Sequence, residues 1–278
     1  MVGELMHPLD VLENLLMYRG PAGVHRALHA EAARASLCGT VEFSAIRWSW
    51  WRAHGEDLVH VLPSDLGASG NLALLPQELN RARGLVQEFV PAGGGSCGEI
   101  HEIPPSPSDW RPGQPFLLFQ ERFKTALVRG GVASRFAAAL ACALHEMASN
   151  AAEHAASDLP PVASYEIAST TWSFGVTDVG GGIIKSLRRN PAYSALTDDV
   201  SAVRLALRDG VSATGQTDRG YGFSSVFRAL VNRMCTIRLR STGAVGTWEG
   251  RSPGANLLQL MTAPNRPGFH VCVSGALA

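Results

Sequence analysis

The run "FAAALACALHEMASNAAEHA", residues 136–155, constrains this chain more than any other. Alanine and leucine are the strongest helix formers, and no glycine or proline interrupts them, so the pattern predicts one long helix over residues 132–156. At about 100° per residue, Leu140, Leu144, Met147, Ala151 and Ala155 fall on one arc, and Glu146, Asn150, Glu153 and His154 on the adjoining one. The apolar arc is a side for a sheet. The polar arc is not simply a solvent-facing side, because it sets an acid and an amide one turn apart. His145 and Glu146 begin the H-E-x-x-H pattern of a helical zinc site, but Ser149 stands where the second histidine must be, so the zinc reading fails.

Around this helix the second half of the chain alternates helical and extended patterns. "FLLFQERFKTALVRGG" has helical periodicity. "ASYEIAS" and "TWSFGVTD" read as strands, the second ending at Asp178 before a glycine run, and "CTIRLRS", "VGTWEG" and "FHVCVS" read as further strands. The segment "DDVSAVRLALRDGVSAT" predicts a helix with Val200, Val203 and Leu207 on one face, ended by Gly210. In the first half, residues 8–37 predict two helices broken at "RGPAG". "TVEFSAIRWSWW" and "DLVHVL" predict strands, and "LLPQELNRARGLVQEF" a helix with Pro76 near its first turn. Proline and glycine crowd "PAGGGSCGEIHEIPPSPSDWRPGQP", which forbids a continuous helix and places the domain boundary there. The chain therefore reads as α/β throughout: a small domain over residues 1–100 whose role the sequence leaves open, a linker over 101–115, and a second domain over 116–278.

At 278 residues and 46% hydrophobic, the chain has enough apolar material for two cores. Its 24 positive and 24 negative side chains balance, so no global field draws it to nucleic acid or to an acidic membrane. The five cysteines are scattered and include no C-x-x-C pair, which argues against a disulfide framework or a cysteine zinc site and favours a reducing compartment. "MVGELMHPLD" lacks the basic region and apolar run of a secretory signal, and no run reaches the roughly 18 apolar residues that span a bilayer, so a cytoplasmic protein is expected.

Three stretches carry chemistry. Glu146 can orient and deprotonate a water, and the Asn150 amide oxygen is a hard ligand of the kind magnesium accepts alongside phosphate. Asp178, at a strand end before "VGGGII", can accept from an exocyclic amine while Gly180, Gly181 and Gly182 let backbone approach a flat ligand. "DRGYGFSSV" sets Gly220 and Gly222 at a helix N-terminus, where free amides and the helix dipole favour phosphate.

E-x-x-x-N on a helix, D-x-G-x-G after a strand and G-x-G before a helix, in this order, resemble the N, G1 and G2 boxes of the GHKL ATPase superfamily. That group includes gyrase, heat-shock chaperone ATPases, histidine kinases and anti-sigma-factor serine kinases. The resemblance covers residues 116–278, and "ALRDGVSAT…RGYGF" is similar to small bacterial members. It implies a two-layer α/β sandwich with ATP and Mg2+ as ligands. It also implies Asn150 on the metal, Glu146 positioning the attacking water, Asp178 on adenine, Gly180 and Gly182 flanking the base, and Arg219, Gly220 and Gly222 at the phosphates. Residues 183–219 would form a lid whose movement regulates a protein partner or the chain's own first domain, with room for a homodimer. A Gly-Thr pair near the last strands often helps hold adenine in this superfamily; here its place falls to Thr247 or is taken by Phe269. An ATPase is the expected activity, with a serine or histidine protein kinase and a non-catalytic nucleotide sensor as alternatives.

Other readings are weaker. "GYGFSS" follows the loop "SATGQTD" and not a strand, so it lacks the context of a dinucleotide fingerprint. His25 and His29 have no further ligand nearby in sequence. His7 lacks the acidic helix context of a phosphoacceptor, and Trp48, Trp50 and Trp51 have no basic stripe that would make them a base-stacking platform.

Overall fold

The computed structural model describes residues 42, 87–89, 97–157, 159–208, 211, 230, 235–250 and 259–277; at 87–89 and 249 the description is of backbone only. The chain divides into two compact units, Met1–Gly84 and Leu85–Ala278. In the first unit the described residue is Glu42, which is helical and buried. "TVEFSAIRWSWW" had suggested a strand there, and aromatic and β-branched content is a poor guide where packing decides. The other first-half expectations, including the pairs His25 and His29 and Trp50 and Trp51, lie outside the described residues.

The second unit is mixed α and β. Its elements run β1 (Gln87–Phe89), β2 (Cys97–Glu102), a 3-10 turn (Pro107–Asp109), α1 (Pro115–Arg129), α2 (Ser134–His154), β3 (Val162–Ile167), β4 (Thr171–Asp178) and α3 (Gly182–Leu187). A 3-10 turn (Pro191–Tyr193), α4 (Asp199–Ala206), β5 (Cys235–Ser241), β6 (Ala244–Glu249), β7 (Gln259–Thr262) and β8 (Phe269–Ala276) follow. The strands make one eight-stranded sheet in the order β1-β2-β3-β4-β8-β5-β6-β7. Every neighbouring pair is antiparallel.

Two-residue periodicity sorts β4 into faces: Trp172, Phe174, Val176 and Asp178 share one, and antiparallel register sets Val273, Val271 and Phe269 of β8 beside the last three. This face meets the helices. α1 and α2 pack on each other and on β3, α1 also on β2 and α2 also on β4. The arc read from the sequence is the buried one: Leu140, Leu144, Met147, Ala151 and Ala155 are all buried. The first four join Phe119, Phe123, Phe174, Val271 and Leu239 in one core. At about 25 cal/mol per Å2, each large side chain in it contributes roughly 1.5–3 kcal/mol.

The boundary differs from the composition-based expectation. β2 lies within residues 1–100 and the supposed linker, yet it pairs with β3 along its whole length. Glu99 of β2 is buried and accepts from the Arg122 guanidinium of α1, with Nε to Oε2 at 2.9 Å and a shorter contact between Nη2 and Oε1. It also accepts from the Tyr165 hydroxyl of β3 at 3.2 Å, and burial, followed by this carboxylate, raises the Tyr165 phenol. Ile103 and Trp110 of 101–115 are buried, and Trp110 stands edge-on to Phe116 and to His145. Gln87–Phe89, placed at the end of a helix by periodicity, is a strand. β2 is an inner strand, paired with β1 on one side and β3 on the other, and the prolines of this stretch lie outside it, so they bound a strand and do not mark a linker.

Candidate functional site

Asp178 closes the apolar stripe of β4, so the strand that carries the core also carries this carboxylate into it. The side chain is 6% exposed. Its Oδ1 accepts from the Gly180 amide at 2.8 Å. Burial pushes its pKa up to about 6 against the opposing pull of backbone hydrogen bonds from Gly180 and Phe269. A carboxylate with this environment is ionised at neutral pH yet poorly hydrated, which makes it a strong acceptor for a ligand N–H.

The turn after it is built on close approach. A Cβ at Gly180 would strike the carbonyl of Ala155, and that same carbonyl receives the Gly181 amide at 3.3 Å. The C-terminal end of α2 is thereby pressed onto the turn that follows Asp178. Gly182 has φ +65°, and a Cβ there would meet Ser241 Oγ and Thr242 at 2.8 Å. Ser241 Oγ accepts the Ile183 amide at 2.8 Å and so seats the start of α3 on the end of β5. These contacts give both glycines a steric reason of their own, independent of any ligand.

Along α2, Asn150 is half-buried and Glu146 is exposed. Asn150 Nδ2 donates to the Glu146 carbonyl at 2.8 Å, one turn back. That bond fixes the amide orientation, so Oδ1 is the atom left for a cation, and among the described residues nothing donates to it. The Glu146 carboxylate likewise forms no ion pair or hydrogen bond among the described residues. Helix rise puts Asn150 about 7–8 Å from Ala155 and Glu146 about 13–14 Å from it. The turn after Asp178 thus meets the C-terminal end of α2, and Asn150 and Glu146 lie successively further toward the N-terminus of that helix. Among the described residues no three His, Cys, Asp or Glu side chains gather into a metal-binding group.

Arg219, Gly220 and Gly222 lie outside the described residues. Leu230, in the helix expected after them, is helical and buried in the core. Of the two positions considered for an adenine-holding threonine, Phe269 is directly opposite Asp178 in the β4–β8 register. Thr247 is on β6, with β8 and β5 between it and β4, and is exposed. Thr247 is therefore not part of this corner.

The first part of the expected lid is docked. Val203 is fully buried, Val200 and Leu207 pack on the core, and α4 packs against α3, β6 and β7. Asp199 of α4 accepts from Thr242 Oγ1 in a short contact and from the Gly243 amide at 3.0 Å, clamping the helix to the β5–β6 turn. This clamp, Ser241 and Gly268, which a Cβ would drive into the Asp178 carbonyl, are positioning features that reading by motif did not find. Their partners are distant in sequence, and only strand register brings them together. Among the described residues no helix is long and apolar enough to cross a membrane. Comparison with protein-family models, with curated proteins and with solved structures finds no match to this chain.

Proposed function

We propose that residues 116–278 form an ATP-binding domain of the GHKL type, a two-layer α/β sandwich, which binds Mg-ATP and hydrolyses it to regulate a partner or the first unit. The observation that carries this reading is Asp178: an acid buried at a strand end, with a raised pKa and a glycine turn beside it, facing a helix that presents Asn150 and Glu146 in line. Burying a carboxylate with only backbone donors is costly, and a ligand amine that completes its hydrogen bonding offsets that cost.

In this reading Asp178 holds the exocyclic amine of adenine, and the phosphates run along α2 toward Asn150 and Glu146. A single amide oxygen with no acidic cluster around it suits Mg2+, which keeps several waters and takes its remaining ligands from phosphate. When bound, Mg2+ supplies charge neutralisation to the phosphates. Asn150 Oδ1 would hold it, and Glu146 would orient a water and take its proton. Arg219, Gly220 and Gly222 are assigned to the phosphates by the sequence resemblance alone.

The test is incubation of the full chain with γ-labelled ATP and Mg2+. Free phosphate released by the wild type and abolished in Glu146→Ala supports hydrolysis. Label retained on protein would instead give the kinase reading, and saturable binding with neither would give a sensor. No saturable ATP binding, or equal binding by wild type and Asp178→Asn, would overturn the site.

A further inference from the structure

We infer that the corner formed by α3 and α4 is a docking surface for an acidic segment of a protein partner. The basis is the distribution of charge. Over the whole chain positive and negative side chains balance, 24 against 24. In residues 182–208, however, Lys185, Arg188, Arg189, Arg204 and Arg208 face only Asp198 and Asp199, and all five cations are exposed.

The two acids are already engaged. Asp199 is turned inward, bonded to Thr242 and to the Gly243 amide. Asp198 caps α4 by accepting the Ser201 amide at 2.7 Å, a bond that, with a smaller contribution from nearby Arg204, holds its carboxyl below the usual range. Among the described residues none of the five cations forms a salt bridge. Arg188 donates through Nε to the Leu196 carbonyl at 2.8 Å, which fixes its position without cancelling its charge.

Position concentrates the charge. Lys185 is in the last turn of α3, Arg188 is its C-cap and Arg189 follows it, while Arg204 is in the last turn of α4 and Arg208 lies two residues past its end, and α3 and α4 pack together. Like charges gathered in this way repel one another. Lys185 in the last turn of α3 and Arg204 in that of α4 suit the helix dipoles, and Arg188, Arg189 and Arg208, at or beyond the helix ends, exceed that need. A surface that keeps this repulsion without internal partners is complementary to an external anion.

Four of the five are arginines, whose planar forks take carboxylates in pairs of parallel hydrogen bonds. The helices beside the patch are short, α3 about 9 Å and α4 about 12 Å long. A nucleic-acid surface is expected to be more extended and to sit on a basic domain, whereas this chain is neutral overall. An acidic peptide segment fits the scale. The inference rests on exposed charge and not on nucleotide binding, and it stands or falls separately from the ATP site.

The experiment measures fluorescence anisotropy of a labelled octa-glutamate peptide titrated with the full chain at low and at high salt. The expected result is saturable binding that weakens with salt, weakens at least tenfold in Arg189→Glu/Arg204→Glu, and is unaltered by Asp178→Asn. Should the double reversal misfold by circular dichroism, Arg189→Gln/Arg204→Gln carries the same test with a smaller expected loss, about threefold or more. Absence of saturable binding at low salt, or equal affinity in wild type and the charge variants, overturns the surface. Tighter binding of a single-stranded oligonucleotide of equal length, with the same sensitivity to the substitutions, overturns the class of partner.

Discussion

Replacing Asp178 by asparagine should stabilise the ligand-free protein, and by an amount that depends on pH. The carboxyl moves from an ordinary value of 3.8 to about 6 on folding, chiefly because burial removes water from the charged form. That rise corresponds to roughly 3 kcal/mol of preference for the protonated form. For an acid raised in the folded state, the favourable contribution is complete below the unfolded value and disappears as pH rises through the folded one. Above about pH 6 the native protein therefore carries the full penalty of the buried charge, and near pH 4 it carries almost none.

Asparagine has nearly the same shape, retains an oxygen for the Gly180 amide, and does not titrate. Its stability relative to wild type should rise between pH 5 and pH 8 by about half of the roughly 3 kcal/mol that the whole transition spans. In thermal melts that corresponds to a gap between the two proteins widening by roughly 3–6 °C. Every other titrating group is common to both proteins and cancels in the difference. A gap that is the same at both pH values, or that narrows as pH rises, would refute the placement of a desolvated carboxylate at the end of β4. The same variant should lose at least about tenfold in ATP affinity, so that stability and binding move in opposite directions.

Three further outcomes follow from the same geometry. ATP affinity of the wild type, measured by calorimetry, should fall as pH drops through about 6, since protonated Asp178 no longer accepts from the base; a flat profile from about pH 5 to pH 8 would contradict the role. Gly180→Ala places a methyl on the Ala155 carbonyl and should cost roughly 1–3 kcal/mol in denaturant unfolding, whereas Gly131→Ala, with open space and only a positive φ to oppose it, should cost less. Asp199→Ala releases Thr242 and Gly243 and should lower stability by about 1–3 kcal/mol, with faster amide exchange in α4 than in α2; equal exchange would deny that the clamp is what holds α4.

How much was legible in the sequence varies with the range of the interaction involved. α1, α2, β3, β4, β5 and β8 were readable because each announces itself within its own residues, through a helical arc or an alternation that burial then follows. β2 was not, because what makes it a strand is Ile167 and its neighbours across the ladder and Arg122 on α1, not the glycines and prolines around it. β7 is four residues with no alternation of its own, held by β6. Within the site, Asp178 was legible as the polar end of an apolar strand, and Glu146 with Asn150 as a polar pair on an apolar helix. Ser241, Asp199 and Gly268 carry no local signal, since a serine, an aspartate or a glycine in a turn is ordinary until its distant partner is known.

These features converge on one physical point. A carboxylate buried without a cation, a turn into which no side chain fits at Gly180, a residue with positive φ at Thr242 and a cluster of like charges at the ends of α3 and α4 each run against local stability. They do not occur at random positions: the first two meet at the end of α2, and the clamp at Thr242 joins the β5–β6 turn to the helix that bears Arg204. Sequences tend to break local rules where a function requires it, whereas the buried Glu99–Arg122 pair elsewhere in this unit is satisfied. The buried carboxylate and the tight turn after it are the physical argument for the ligand proposed at Asp178. Beside that turn the short α3 is tied to the sheet by Ser241 at one end and supported by α4 along its side.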